Sequence, residues 1–359
     1  MQLSPTLAWL VDAASDVSGA DRLLAELGAH LRADGVPVVA GALTLEVPHP
    51  LIAKRTWLWR AEGGEVIEAL GFAPAGLVPD PPNDAGRRWL RDTAGGEVHE
   101  DVVGRPGGPL LGWIGPRPFN PLDIEQLRQA ARFAATPLAV LAARATLRAT
   151  LEAYLGKRSA QRVLAAPLRR DLGETIQAAL LYADLRSFTT LSETQPPADV
   201  IAALDAWFDR IAGAVHAFGG EVLKFIGDGV LAIFPVVEAS PRRACDSALR
   251  AAGAAKAGMA HLNEERRGHG LPPLSFGAAL HLGEMLWGNI GAANRLDFTA
   301  IGPAVNLASR LEGLCKPLGR TVLVSGVLAA ETDTPLDALG MHPLRGIATP
   351  CEVFALPET

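Results

Sequence analysis

Apolar residues recur along this chain with two periods, one near 3.6 and one near 2, and each change of period marks an element. Over Ser4–Leu31 the residues Leu23, Leu24, Leu27 and Leu31 keep the helical rhythm, which predicts helix there with a break near Ser18-Gly19-Ala20-Asp21. Val36–Val47 and Thr56–Phe72 are strand-like, the second turning at Glu62-Gly63-Gly64. A Pro-rich loop, Ala73–Asn83, precedes a short helix around Arg87–Asp92, and strands follow around Glu97–Val103 and Pro109–Gly115. Pro121–Gly156 is rich in Ala, Leu, Arg and Gln and reads as helix broken or kinked at Pro137. Beyond that proline, Leu138, Leu141, Leu147, Leu151 and Tyr154/Leu155 form a partial a/d stripe with a stutter. That stripe suits a parallel two-chain coil or a helix packed on the preceding domain. Tyr154–Glu174 is basic and reads as a linker.

The pattern then sharpens. Strand Ile176–Asp184 is followed by helix Pro197–Phe218, with Pro197 in its first turn and Gly219-Gly220 at its end. Val200, Ile201, Leu204, Trp207, Phe208, Ile211, Val215 and Phe218 share one helical face. Glu221–Phe234 places two apolar, β-prone arms around Gly227-Asp228-Gly229, the signature of a tight hairpin. A long Ala/Arg-rich helix, Ser240–Arg267, leads to a second hairpin over Leu274–Ile290 that turns near Gly283-Glu284. Phe298–Gly302 runs into helix Pro303–Leu318, and short strands around Thr321–Val324 and Glu352–Leu356 close the chain. The order β-α-β-β-α-β with appended strands predicts an α+β, ferredoxin-like palm-type sheet. The expected organisation is a regulatory α+β domain over residues 1–120, a helical segment over 121–174 and a catalytic domain over 175–359. The order of elements in the first of these resembles that of GAF-type sensor domains.

Composition narrows the class. Hydrophobic residues make up 49% and charged residues 20%, enough apolar side chains to fill ordinary cores. A net charge of −6 argues against a nucleic-acid-binding surface. The three cysteines, Cys245, Cys315 and Cys351, are far apart and form no CxxC, which points to reduced thiols rather than a disulfide frame or zinc site. No apolar run reaches membrane-spanning length and the first residues lack a leader pattern, so a cytoplasmic protein is expected. Five tryptophans, Trp9, Trp57, Trp59, Trp89 and Trp113, fall in the first domain, where core or dimer surface is the expected role rather than a ligand pocket.

Asp228 at a hairpin tip and Asp184 at a strand end are two carboxylates separated by one helix, a pattern that suits a two-metal phosphoryl-transfer site. Around them, YADLRSFTTLS (Tyr182–Ser192), EVLKFIGDGVLAIF (Glu221–Phe234), GNIG with RLDFTAIGPAVNLASRLE (Gly288–Glu312) and the closing LRGI and CEVFAL resemble the class III nucleotide cyclases. The resemblance runs over about residues 150–357.

It implies that Asp184 and Asp228 hold two Mg²⁺ or Mn²⁺ ions. It also implies that the backbone N–H groups of Leu185, Arg186, Ser187 and Phe188 cradle phosphates, that Asn306 orients the ribose and that Arg310 neutralises charge on the α-phosphate. Lys224 and Thr299 match the two base-reading positions. Many family members carry Asp in place of Thr299, and guanylate cyclases tend to use Glu and a small or Cys residue at the two positions. Thr is typical of a subgroup of adenylate cyclases often described as bicarbonate-responsive. Pro303 stands where Asp or Asn is expected.

The resemblance therefore implies ATP as substrate, a homodimer with its sites at the interface, and a small-molecule or bicarbonate regulator, with neither nucleic acid nor membrane insertion. A catalytically silent nucleotide- or signal-binding module and a guanylate cyclase are the alternatives. A palm-type polymerase or diguanylate cyclase is disfavoured by the absence of a GGDEF-like motif and of a basic template surface.

Overall fold

The computed structural model describes residues 3–46, 52–72, 85–165, 173–237, 240–292 and 294–357. The chain divides into two compact units, Met1–Leu147 and Arg148–Thr359. The predicted loop Ala73–Asn83 lies outside the described residues.

In the first unit, helices α1 (Pro5–Asp12) and α2 (Ala20–Ala33) precede strands β1 (Ala40–Glu46), β2 (Ile52–Arg60) and β3 (Val66–Phe72). Helix α3 (Ala85–Ala94), strands β4 (His99–Val102) and β5 (Leu110–Ile114) and helix α4 (Pro121–Phe133) follow, and helix α5 (Ala135–Leu155) begins in this unit. The strands form an antiparallel sheet in the order β3-β2-β1-β5-β4. Leu23, Leu24, Leu27 and Leu31 are all buried, packed with Leu43, Trp57, Trp59, Leu111 and Trp113 from one face of the sheet. Trp59 and Trp113 meet edge to face at 6.1 Å. Gly28 and Gly41 make room for them, since a Cβ at either position would lie 2.4 Å from an indole carbon. Three of the five tryptophans are thus core residues, and Trp9 and Trp89 are half-buried.

The helical break falls at Ala134, between α4 and α5, close to the expected Pro137. Leu138 and Leu141 of the apolar stripe belong to the first core. Residues 142–150 are exposed, with Leu147 at 53%, and Tyr154 beyond them is 84% exposed.

The second unit contains helix α6 (Lys157–Ala165), strand β6 (Gly173–Leu185), helices α7 (Phe188–Thr194) and α8 (Pro197–Ala217), strands β7 (Glu221–Ile226) and β8 (Gly229–Pro235) and helix α9 (Pro241–Gly268). Strands β9 (Phe276–Ala292) and β10 (Arg295–Ile301), helix α10 (Pro303–Glu312), strand β11 (Val322–Ser325), helix α11 (Gly326–Ala329) and strands β12 (Asp337–His342) and β13 (Cys351–Ala355) complete it. The sheet runs β12-β13-β11-β9-β6-β8-β7, with β10 paired to β9. Its central β9-β6-β8-β7 segment, all antiparallel, is the ferredoxin-like palm expected from the sequence.

Strand pleating sorts the residues of β6. Ala179, Leu181, Ala183 and Leu185 pack with the apolar faces of α8 and α9. Ala178 and Leu180 pack on the other face with Ala304 and Ala308 of α10.

One expectation is corrected. Leu274–Ile290 is not a hairpin: β9 runs unbroken through Gly283-Glu284 and pairs along its length with β6, and its true hairpin partner is β10. Gly283 is there because α10 crosses it, since a Cβ would come within 2.7 Å of the Ala304 methyl. The segment read as a basic linker contains α6, anchored by Glu221. The Glu221 Oε1 accepts from the Ser159 backbone N–H at 3.1 Å and from the Ser159 hydroxyl at 3.2 Å. The rest of that segment, 166–172, lies outside the described residues.

Candidate active site

The hairpin tip is built by its glycines. Gly227 takes φ +63, and a Cβ on Gly229 would crowd the Ile226 carbonyl and the Tyr182 hydroxyl, both at 3.1 Å, with Asp184 Oδ1 at 3.6 Å. The indole N–H of fully buried Trp207 donates to the Asp228 carbonyl at 2.9 Å and pins the tip to α8. Asp228 is thereby set beside Asp184, which lies near the end of β6 on the same face as Tyr182.

The two carboxylates lie beside each other. Burial and then the neighbouring Asp228 carboxylate push the Asp184 carboxyl up to about 7; Glu312 adds to the rise and Arg186 opposes it. Asp184 Oδ1 is buried without a hydrogen-bond partner among the described residues. Among those residues no cluster of three or more His, Cys, Asp or Glu side chains could hold a metal ion, so the acidic site is this pair. A half-buried pair of hard oxygen donors, one oxygen left open, fits a Mg²⁺- or Mn²⁺-sized cation.

Past Asp184 the chain turns through Ser187, at φ 58 and ψ 28 the one described non-glycine residue with positive φ. The left-handed region costs such a residue about 1–2 kcal/mol. The turn aims the start of α7 beside the carboxylates. The Arg186 N–H is already spent on the Ser275 carbonyl at 2.8 Å, which takes it out of the expected cradle, while Ser187 and Phe188 stand at an open helix start. The Arg186 side chain turns away to an ion pair with buried Glu312 at 2.9 Å.

Helix α10 has two working faces. Ala304, Ala308, Leu311 and Glu312 face the sheet. Asn306 and Arg310, two residues beyond Ala304 and Ala308, project from the opposite side and are exposed. Neither makes a side-chain hydrogen bond or ion pair among the described residues. Lys224 forms an ion pair with Asp297, two residues before Thr299 on the same face of β10. The structure therefore brings Asp184 to Asp228 and Lys224 to the Thr299 strand, and turns Asn306 and Arg310 outward, away from the carboxylates of their own chain.

Residues 173–342 match the family model of the adenylate and guanylate cyclase catalytic domain. This C-terminal domain belongs to the class III nucleotide cyclase family. The chain is 34% identical over 180 residues to adenylate cyclase 1 of Rhizobium meliloti, covering 50% of this chain and 27% of that one. It is 32% identical over 165 residues to an adenylate cyclase of Anabaena cylindrica, covering 45% of this chain and 32% of the relative. The matched region thus spans about a third or less of these relatives. A solved bacterial light-regulated adenylyl cyclase superposes over 88% of this chain and 92% of its own, with a TM-score of 0.54 and 17% identity, a likeness of fold.

The cyclase domain also holds residues that sequence reasoning did not single out. Asp297, Glu312, Tyr182 and the Trp207 N–H all touch the site, and each joins positions far apart in the sequence. No helix among the described residues is long and apolar enough to cross a membrane.

The raised Asp184 carboxyl gives the metal-free cyclase domain a defined pH response. The native state binds a proton that the unfolded state releases near 4, so stability falls as pH rises from about 4 to about 7. Asp184→Asn removes this penalty. With a chelator present, its Tm should match wild type near pH 4 and exceed it by a growing margin up to pH 8. Differential scanning fluorimetry across that range checks this, and a margin independent of pH would contradict it.

Proposed function

We propose that the chain is an adenylate cyclase that converts ATP to 3′,5′-cyclic AMP and pyrophosphate, working as a homodimer. The observation that carries this is the Asp184–Asp228 pair, half-buried and one oxygen open, beside an uncommitted helix start. Asp184 and Asp228 would hold Mg²⁺ or Mn²⁺, which when bound acidifies the ribose 3′-hydroxyl and offsets triphosphate charge. The Ser187 and Phe188 N–H groups bind phosphate oxygens. Asn306 orients the ribose through its amide. Arg310 places a permanent charge and paired donors against the α-phosphate as the bond to O3′ forms and the bond to pyrophosphate breaks. Because Asn306 and Arg310 face away from the sheet, they serve the carboxylates of a second copy. The exposed Leu147 and Tyr154, two turns apart on α5, are suited to pair with their counterparts in that copy.

Lys224 and Thr299 read the base: the ammonium donates to a ring nitrogen and the hydroxyl accepts from the adenine amino group. The N-terminal domain, with its antiparallel sheet, is the regulatory module, GAF-like in its order of elements and open to a small-molecule or bicarbonate signal. A cytoplasmic setting suits an ATP-consuming enzyme. The test is purified protein with Mn²⁺ and either ATP or GTP, the product read by chromatography. Cyclic AMP from ATP is expected; cyclic GMP alone would reassign the substrate, and no product from either would make the domain a binding module.

The same assay tests base reading. Lys224→Glu alone would set two carboxylates against each other at Asp297, so the swap is made with Thr299→Cys and Asp297→Asn. The triple variant should lose at least about tenfold in its ATP-over-GTP preference. An unchanged preference would remove these residues from base recognition.

A further inference from the structure

The Arg186–Glu312 ion pair has no part in the chemistry above, yet it is built into the site. Arg186 follows Asp184 by two residues and leaves β6 on the same face. Its guanidinium folds back over Gly277, the residue opposite Asp184 in the β6–β9 ladder. A Cβ at Gly277 would lie 1.7 Å from Arg186 Nη2 and 2.5 Å from Glu312 Oε1, so only glycine leaves this place open. Glu312, at the end of α10, is 8% exposed in its side chain and Arg186 22%. The two meet at 2.9 Å, but neither Nη2 nor Oε1 completes an aligned hydrogen bond.

A permanently charged guanidinium is thus stored next to two carboxylates, one of which has an unpartnered buried oxygen. Arginine matches a carboxylate in geometry as well as charge, so Arg186 is the nearest competitor for the place a divalent cation would take. Among the described residues, Glu312 is the carboxylate that meets it over Gly277.

We infer that Glu312 is a positioning residue for the metal pair: by holding Arg186 over Gly277 it keeps the guanidinium off Asp184 and Asp228 and leaves them free for divalent cations. This rests on the metal-binding role proposed for the two aspartates. Glu312→Gln keeps the shape but removes the countercharge. Arg186 then turns to the aspartate pair, and cation affinity falls by the roughly 10–100-fold typical of lost outer-shell partners. Removing the competitor as well restores it.

The experiment is a direct Mn²⁺ titration of the full-length protein by electron paramagnetic resonance, without nucleotide. The proteins compared are wild type, Glu312→Gln, Arg186→Met and the double variant, with thermal unfolding to verify folding. Glu312→Gln should bind Mn²⁺ at least about tenfold more weakly. Arg186→Met should bind no more weakly than wild type, and the double variant should recover wild-type affinity. Normal binding by Glu312→Gln, or a double variant as weak as Glu312→Gln, would overturn the inference. Should Glu312→Gln fail to fold, Arg186→Met decides: weakened binding would show that the guanidinium supports the site rather than competing for it. A wild type that binds no Mn²⁺ would remove the metal role itself, an outcome distinct from failure of the variants.

Discussion

Asp184→Asn and Asp228→Asn should each lower cyclic nucleotide formation at least about a thousandfold at saturating Mn²⁺ while leaving the fold intact. Either change removes one of the two negative charges at the site, and the lone carboxylate that remains cannot hold the same cation charge. Unfolding cannot account for the loss, because the native pair is electrostatically strained. The Asp184 carboxyl is pushed up to about 7 by burial and by Asp228, and neutralising one member relieves that strain. Activity should therefore vanish in a protein that melts no lower than wild type when metal-free. Turnover within tenfold of wild type in either variant would contradict the carboxylate assignment.

The parts of the site that were legible in the sequence are those whose cause is local. Gly227-Asp228-Gly229 between two apolar arms is a hairpin because of its own residues, and Asp184 lies near the end of a strand whose apolar run is visible without a partner. Asn306 and Arg310 were legible through the motif they share, and burial shows that, four residues apart on α10, they lie on a face turned outward. What was not legible depends on contacts between distant positions. Gly283 looked like a turn residue because nothing nearby in sequence reveals that Ala304 packs against it. Lys224 meets Asp297, and Arg186 meets Glu312, only once β7, β9, β10 and α10 are assembled. Helix α6 lies within the helical segment expected over 121–174, but its anchor was not legible, since the carboxylate that holds it, Glu221, lies on β7. Strand β12 was missed because it is an irregular edge strand with no buried residue and a register shift between Ala338 and Gly340.

The account holds that one chain cannot complete a site. Its aspartate pair faces the inner side of its own α10, while Asn306 and Arg310 project from the outer side. A C2 dimer would place each outward pair against the partner's carboxylates and form two equivalent sites. Asp184→Ala and Arg310→Ala proteins should then each be inactive alone, because every site in either homodimer lacks one half. In a mixed dimer both lesions fall in one site and the other is intact. The decisive measurement is cyclic AMP formation by the two variants co-expressed with different affinity tags and purified through both. The account predicts recovery from background to about half of wild-type activity in this purified heterodimer, and to about a quarter in a randomly mixed population. A doubly tagged heterodimer that stays inactive would place the whole site within one chain and contradict it.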